Sequence, residues 1–85
     1  MKEFQFTIRD ELGLHARPAG LLVREVKSLD SRVTICNRDR SADALRLFAL
    51  MGMAIKQSDT VTVRIEGGDE EASEARLKAF FEANL

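Results

Sequence analysis

The segment Thr60-Val61-Thr62-Val63-Arg64-Ile65 alternates apolar and polar side chains without a break. Successive side chains of an extended strand point to opposite faces, so this stretch asks for a sheet with one buried and one wet face. Phe4, Phe6 and Ile8 alternate with Glu3, Gln5, Thr7 and Arg9 in the same way, which predicts a strand over residues 2–9. Arg32–Asn37 predicts another, with Val33 and Ile35 on its apolar face. Asn37-Arg38-Asp39-Arg40 reads as a turn into a short third strand, Ser41-Ala42-Asp43, completing a hairpin. Strands that alternate like this belong to an antiparallel sheet, whose apolar face must be covered by helices.

The helices are marked differently. Pro18 is tolerated in a first turn, where early N–H groups lack intrahelical partners. Ala19, Leu22, Val26 and Leu29 then share one face, with Arg17, Gly20, Arg24 and Lys27 roughly opposite, predicting a helix over residues 16–28. Residues 45–55 are apolar almost all round, as in a short helix covered on both sides. Leu45, Ala49 and Met53 are its expected sheet-facing side. After Gly67-Gly68, Asp69 is a good N-cap, Glu70 and Glu71 suit the positive end of a helix dipole, and Leu77, Phe80 and Phe81 form an apolar stripe. The order is β-α-β-β-α-β-α, an α+β class. A ferredoxin-like split βαβ shares the first six elements, so the pattern leaves two topologies open.

Residues 1–85 are expected to form a single domain. One Cys makes no internal disulfide, and one His with one distant Cys makes no zinc site, so neither metal nor cofactor is expected. Thirteen Lys and Arg against fourteen Asp and Glu lack the basic excess of a non-specific nucleic-acid binder. No apolar run approaches the roughly 20 residues of a membrane helix, and the start carries no signal-like apolar core. A free thiol without an export signal points to the cytoplasm. Cys36 is expected to be a buried apolar filler.

Gly13-Leu14-His15-Ala16-Arg17-Pro18 places the only imidazole at the start of the first helix. Free N–H groups there, those of Ala16 and Arg17, make an anion site, and the Arg17 side chain adds a fixed positive fork. A neutral imidazole can attack a phosphoryl group and hold it as a phosphoramidate. A cap or surface histidine would occupy the same place in sequence without any such role.

The heptad Gly13–Ala19 resembles the active-site signature of the HPr family, the histidine-containing phosphocarriers of the bacterial phosphoenolpyruvate:sugar phosphotransferase system. Leu47-Phe48, Asp59-Thr60-Val61-Thr62-Val63 and Glu66-Gly67-Gly68-Asp69-Glu70-Glu71 resemble their family counterparts too, without gaps. The resemblance implies the HPr-like open-faced β-sandwich: a four-stranded antiparallel sheet with three helices on one face. It implies that His15 takes a phosphoryl group on Nδ1 from enzyme I and passes it to IIA domains of sugar-specific enzyme II. Arg17 would neutralise the phosphate and Pro18 would start the helix. The protein would then be a stoichiometric carrier and not an enzyme, a monomer that docks on enzyme I, enzyme IIA domains and regulatory proteins.

From the residues alone Leu47, Phe48 and Met51 read equally as core or as an interaction patch; the resemblance implies that they form the docking surface, beside Gly20, Arg24 and Lys27 of the first helix. Arg24 and Lys27 would act on association rate more than affinity, although a solvated helix face would look the same. Many family members carry a regulatory serine where this chain has Arg46, which accepts no phosphate, so a serine kinase acting there is expected to find no substrate. Leu12 replaces a frequent small polar residue and offers no capping group, leaving His15 or water for that place. Rival readings are a paralogue in a nitrogen or regulatory phosphotransfer chain and a binding module that relays nothing. A small enzyme of the acylphosphatase kind would need an Arg loop after the first strand with an Asn partner, which His-Ala-Arg-Pro fits poorly.

Overall fold

A computed structural model describes residues 1–85. Seven elements follow one another: β1 (Lys2–Thr7), α1 (Ala16–Lys27), β2 (Arg32–Asn37), β3 (Arg40–Asp43), α2 (Leu47–Gly52), β4 (Thr60–Glu66) and α3 (Glu70–Asn84). The strands form one sheet in the order β1-β4-β2-β3, antiparallel throughout. A ferredoxin-like sheet would insert β3 between β1 and β2 and put β4 at the edge; here β4 is the inserted strand and β3 the edge, so the strand order separates the two topologies.

The register explains the alternation. Phe4 pairs with Val63, Val63 with Ile35, and Ile35 with Ala42, a single apolar row across all four strands. Val33, Ile65 and Val61 extend that face, all buried. The next row, Gln5, Thr62, Cys36 and Ser41, lies on the other face, as do Glu3, Arg64 and Thr34. Cys36 is therefore half-buried on the helix-free side instead of in the core, because it sits one residue out of phase with Ile35.

Ala19, Leu22 and Val26 of α1 and Leu77 and Phe81 of α3 pack into one cluster of 19 buried apolar residues. The Phe81 ring meets Phe4, Phe6 and Phe80 edge-on at centroid distances of 5.9, 5.4 and 6.0 Å, an arrangement that aromatic quadrupoles favour. Asp69 caps α3 as expected, its side chain accepting the Ala72 N–H at 3.1 Å.

Two segments differ from their sequence reading. β1 stops at Thr7 because Arg9 and Asp10 turn away and both donate their N–H to the Leu85 carbonyl, at 2.7 and 3.0 Å. The second helix spans six residues, not residues 45–55. Asp43 Oδ1 accepts the Leu45 N–H at 2.9 Å and delays the helix start, while Ala54, with φ of 53°, ends any continuation. Its phase also differs. Leu50 and Met53 are buried, whereas Leu45 and Ala49, expected against the sheet, are exposed.

Candidate functional site

The loop from Ile8 to His15 is held from three directions. Ile8 exchanges backbone hydrogen bonds with the segment before β4, donating to the Asp59 carbonyl and accepting from Ser58, both at 2.8 Å. The end of α3 takes Arg9 and Asp10 through the Leu85 carbonyl, and the Arg9 guanidinium donates to the Glu82 carbonyl at 2.6 Å. Leu14 donates to the Ile55 carbonyl at 3.0 Å. Gly13, at φ of 66°, lies so close to that carbonyl that a side-chain carbon would collide with it. Within the loop, Asp10 forms a tight turn: its carbonyl accepts the Gly13 N–H and its Oδ1 the Leu12 N–H, both at 2.9 Å.

This loop delivers His15 to the N-cap position of α1 in extended conformation, φ −88° and ψ −175°. The half-buried side chain makes no capping hydrogen bond, so His15 fills the capping position without capping the helix. Its carbonyl accepts the Ala19 N–H at 3.0 Å. Pro18 has no N–H, and neither Ala16 nor Arg17 donates its N–H to another group of the chain. Two backbone donors thus remain free at the positive end of the helix. The Arg17 side chain is exposed and pairs with no carboxylate. His15 Nε2 lies 3.8 Å from Asp10 Oδ2.

A cleft of about 260 Å³ joins these groups, lined by Asp10, His15, Arg17, Pro18, Leu21, Ala83 and Asn84. Such a site can take a small anion against free N–H groups and a guanidinium, with an imidazole beside it. His15, Arg17 and Pro18 come together as the sequence suggests. In the sequence Asp10 carries no site signal beyond its place in the polar stretch Asp10-Glu11-Leu12-Gly13, where an Asp three residues before a glycine marks a turn. Leu21 could be placed on the flank of the helix. Ala83 and Asn84 carry no sequence signal, because only the tertiary fold brings the end of α3 here.

The remaining expected residues fall outside this cleft. Gly20 is half-buried and Lys27 exposed on α1. Arg24 lines a different groove, between α1 and α3, with Phe80 and Asn84. α2 packs beside α1. There Phe48 is 84% exposed and Met51 39%, whereas half-buried Leu47 rests on the core. Arg46 is exposed at the N-cap of α2 and makes no capping bond. Leu12 is 71% exposed. No three His, Cys, Asp or Glu side chains are grouped to hold a metal ion, and no helix is long and apolar enough to cross a membrane.

The family profile described as PTS HPr component phosphorylation site matches residues 2–83. Among curated relatives, the phosphocarrier protein HPr of Mycoplasma genitalium is 34% identical over 85 residues, covering 99% of this chain and 97% of that protein. The crystal structure of HPr-C-His from Thermoanaerobacter tengcongensis superposes with a TM-score of 0.92 at 30% identity, covering 99% of this chain and 94% of that one. An HPr dimer from the same organism matches with a TM-score of 0.75 at 30% identity, covering 98% and 95%.

Proposed function

The chain belongs to the HPr family, the phosphocarriers of the phosphotransferase system, and on that premise we propose that His15 accepts a phosphoryl group on Nδ1 from phosphorylated enzyme I and passes it to an IIA domain. One observation carries this reading: the imidazole stands at an uncapped helix N-terminus, beside two free N–H groups and an unpaired Arg17. The negative oxygens of a phosphoramidate would meet those N–H groups and the guanidinium as they form. Few contacts and an open cleft suit a carrier, because a strongly stabilised phosphoramidate would be trapped. The donor phosphohistidine comes from the partner, so the transfer needs no metal on this chain.

Docking would use the exposed side chains of Phe48 and Met51 and the half-buried Leu47 on α2, together with Gly20 and Lys27 of the neighbouring α1. Arg24, on the α3 side, would steer acidic partners. The carrier would work in the cytoplasm as a single chain. At the head of α2, Arg46 offers no hydroxyl, so control by seryl phosphorylation at that position is absent from this chain. Transport is favoured over a nitrogen or regulatory chain by the family match, and the IIA domain that accepts the phosphoryl group distinguishes them.

The test is phosphorylation with phosphoenolpyruvate and enzyme I. The wild type should yield one acid-labile phosphoryl group per chain, and His15→Ala should yield none. Robust labelling of the His15→Ala protein would overturn the site.

A further inference from the structure

We propose that Asp10 is a positioning residue for His15: its carboxylate holds the proton on Nε2 and so leaves the Nδ1 lone pair free to attack phosphorus. The inference rests on the phosphocarrier reading above and names a residue that reading does not require. Asp10 itself is firmly placed. Its N–H donates to the Leu85 carbonyl, its carbonyl accepts from Gly13, and Oδ1 accepts the Leu12 N–H. Oδ2 receives no hydrogen bond from the chain, and the polar atom it faces is His15 Nε2, 3.8 Å away. That separation exceeds a hydrogen bond, and a small side-chain rotation in either half-buried residue closes it. Among the residues lining the cleft, Asp10 supplies the only carboxylate and Arg17 is the other charged group; Asn84 Nδ2 donates a hydrogen bond to the Phe80 carbonyl.

An ionised carboxylate only accepts hydrogen bonds. Facing it, Nε2–H is attractive, whereas a bare Nε2 lone pair is repelled. A neutral imidazole with its proton on Nε2 has its lone pair on Nδ1. In the transfer, that pair forms the Nδ1–P bond, and the donor N–P bond breaks with its electrons returning to the donor ring. Nε2 keeps its proton throughout, so the His15 ring becomes a phosphorylated cation while the donor ring becomes neutral. The Asp10 carboxylate thus faces the positive charge as it develops on the ring, and loses that partner when the phosphoryl group moves on.

Asp10→Asn separates this role from loop structure. The Asn carbonyl oxygen can keep the Leu12 N–H, while an NH₂ donor replaces the acceptor that faces Nε2. Nitrogen-15 spectra of the intact protein report the His15 tautomer. The expected result is a dominant Nε2–H form in the wild type and a several-fold gain of the Nδ1–H form in Asp10→Asn. The maximal rate of phosphorylation by enzyme I should fall by about tenfold with an unchanged KM for the carrier. That loss is below the roughly 10⁴-fold cost of neutralising a buried triad aspartate, because this site is half open to water. Asp10→Ser keeps an acceptor for Leu12 without the carboxylate and should move both readouts in the same direction; it serves if the Asn protein fails to fold.

An unchanged tautomer ratio, or a changed ratio with an unchanged rate, would falsify the proposal. A wild type that accepts no phosphoryl group from enzyme I, whatever Asp10→Asn does, removes the carrier reading and this inference with it.

Discussion

Gly13 and Gly20 flank the candidate nucleophile and have opposite requirements. Gly13 sits at φ of 66° with no room for a side chain beside the Ile55 carbonyl, the same oxygen that receives the Leu14 N–H. Left-handed strain and collision together predict that Gly13→Ala destabilises the fold by about 2–4 kcal/mol. Gly20 lies inside α1 with nothing within 4 Å of an added carbon, so Gly20→Ala should stabilise by about 0.5–1 kcal/mol. Urea denaturation of both proteins checks the pair, and a Gly13→Ala change below about 0.5 kcal/mol would contradict the role given to that turn. At this scale the sequence is informative where chemistry is local. His15, Arg17 and Pro18 stand within four positions of one helix start, and their proximity needs no tertiary information. Asp10 shows the limit: its relation to His15 depends on a turn of the intervening backbone.

Among the elements, α2 has the least local support. It spans six residues, its N-cap Arg46 offers no side-chain bond, and it contributes a single fully buried side chain, Leu50. Leu50→Ala should therefore cost about 2–5 kcal/mol, as for other buried leucines. Phe48→Ala should leave thermal stability almost unchanged while raising the KM for enzyme I several-fold, because Phe48 projects into solvent. Equal losses of melting temperature in the two proteins would show that Phe48 belongs to the core. The difference between α2 and the strands also explains what could be read in advance. In β1 and β4, period-two alternation reports directly which side chains face the helices. In residues 45–55, apolar side chains lie on every side, so no periodicity distinguishes Leu50 from Ala49, and the inward face is decided by where Asp43 delays the helix start.

For the whole molecule, Asp59 marks where the end of β1, the β2–β3 hairpin and the approach to β4 meet. Its Oδ2 accepts the Lys56 N–H at 2.9 Å and the Asn37 side-chain amide at 3.3 Å, and its carbonyl receives Ile8. The Lys56 hydrogen bond, followed by Asn37 and the charge of Arg38, holds the carboxyl below its ordinary value of 3.8. Glu70 is lowered in the same sense, first by the Met1 ammonium and then by the Gly67 N–H. A carboxyl whose value falls on folding gives stability that is present above its unfolded value and is lost as pH drops through the folded one. Thermal melts from pH 7 to pH 2.5 should accordingly fall below about pH 4, and less steeply for Asp59→Asn, with Glu70 supplying part of the remaining slope. Identical slopes would remove Asp59 from the account. The order of the strands was not legible from alternation alone, since two topologies share that pattern until pairing partners are known. That order also sets a timetable for biosynthesis. β1 is made first but has a single strand neighbour, β4, and its Phe4 and Phe6 rest on Phe81 of α3. At about 5–20 residues per second, a ribosome needs roughly 3–12 s after finishing β1 before β4 exists. Through that interval the first strand has no place to go, and the nascent chain commits to its fold only near the close of translation.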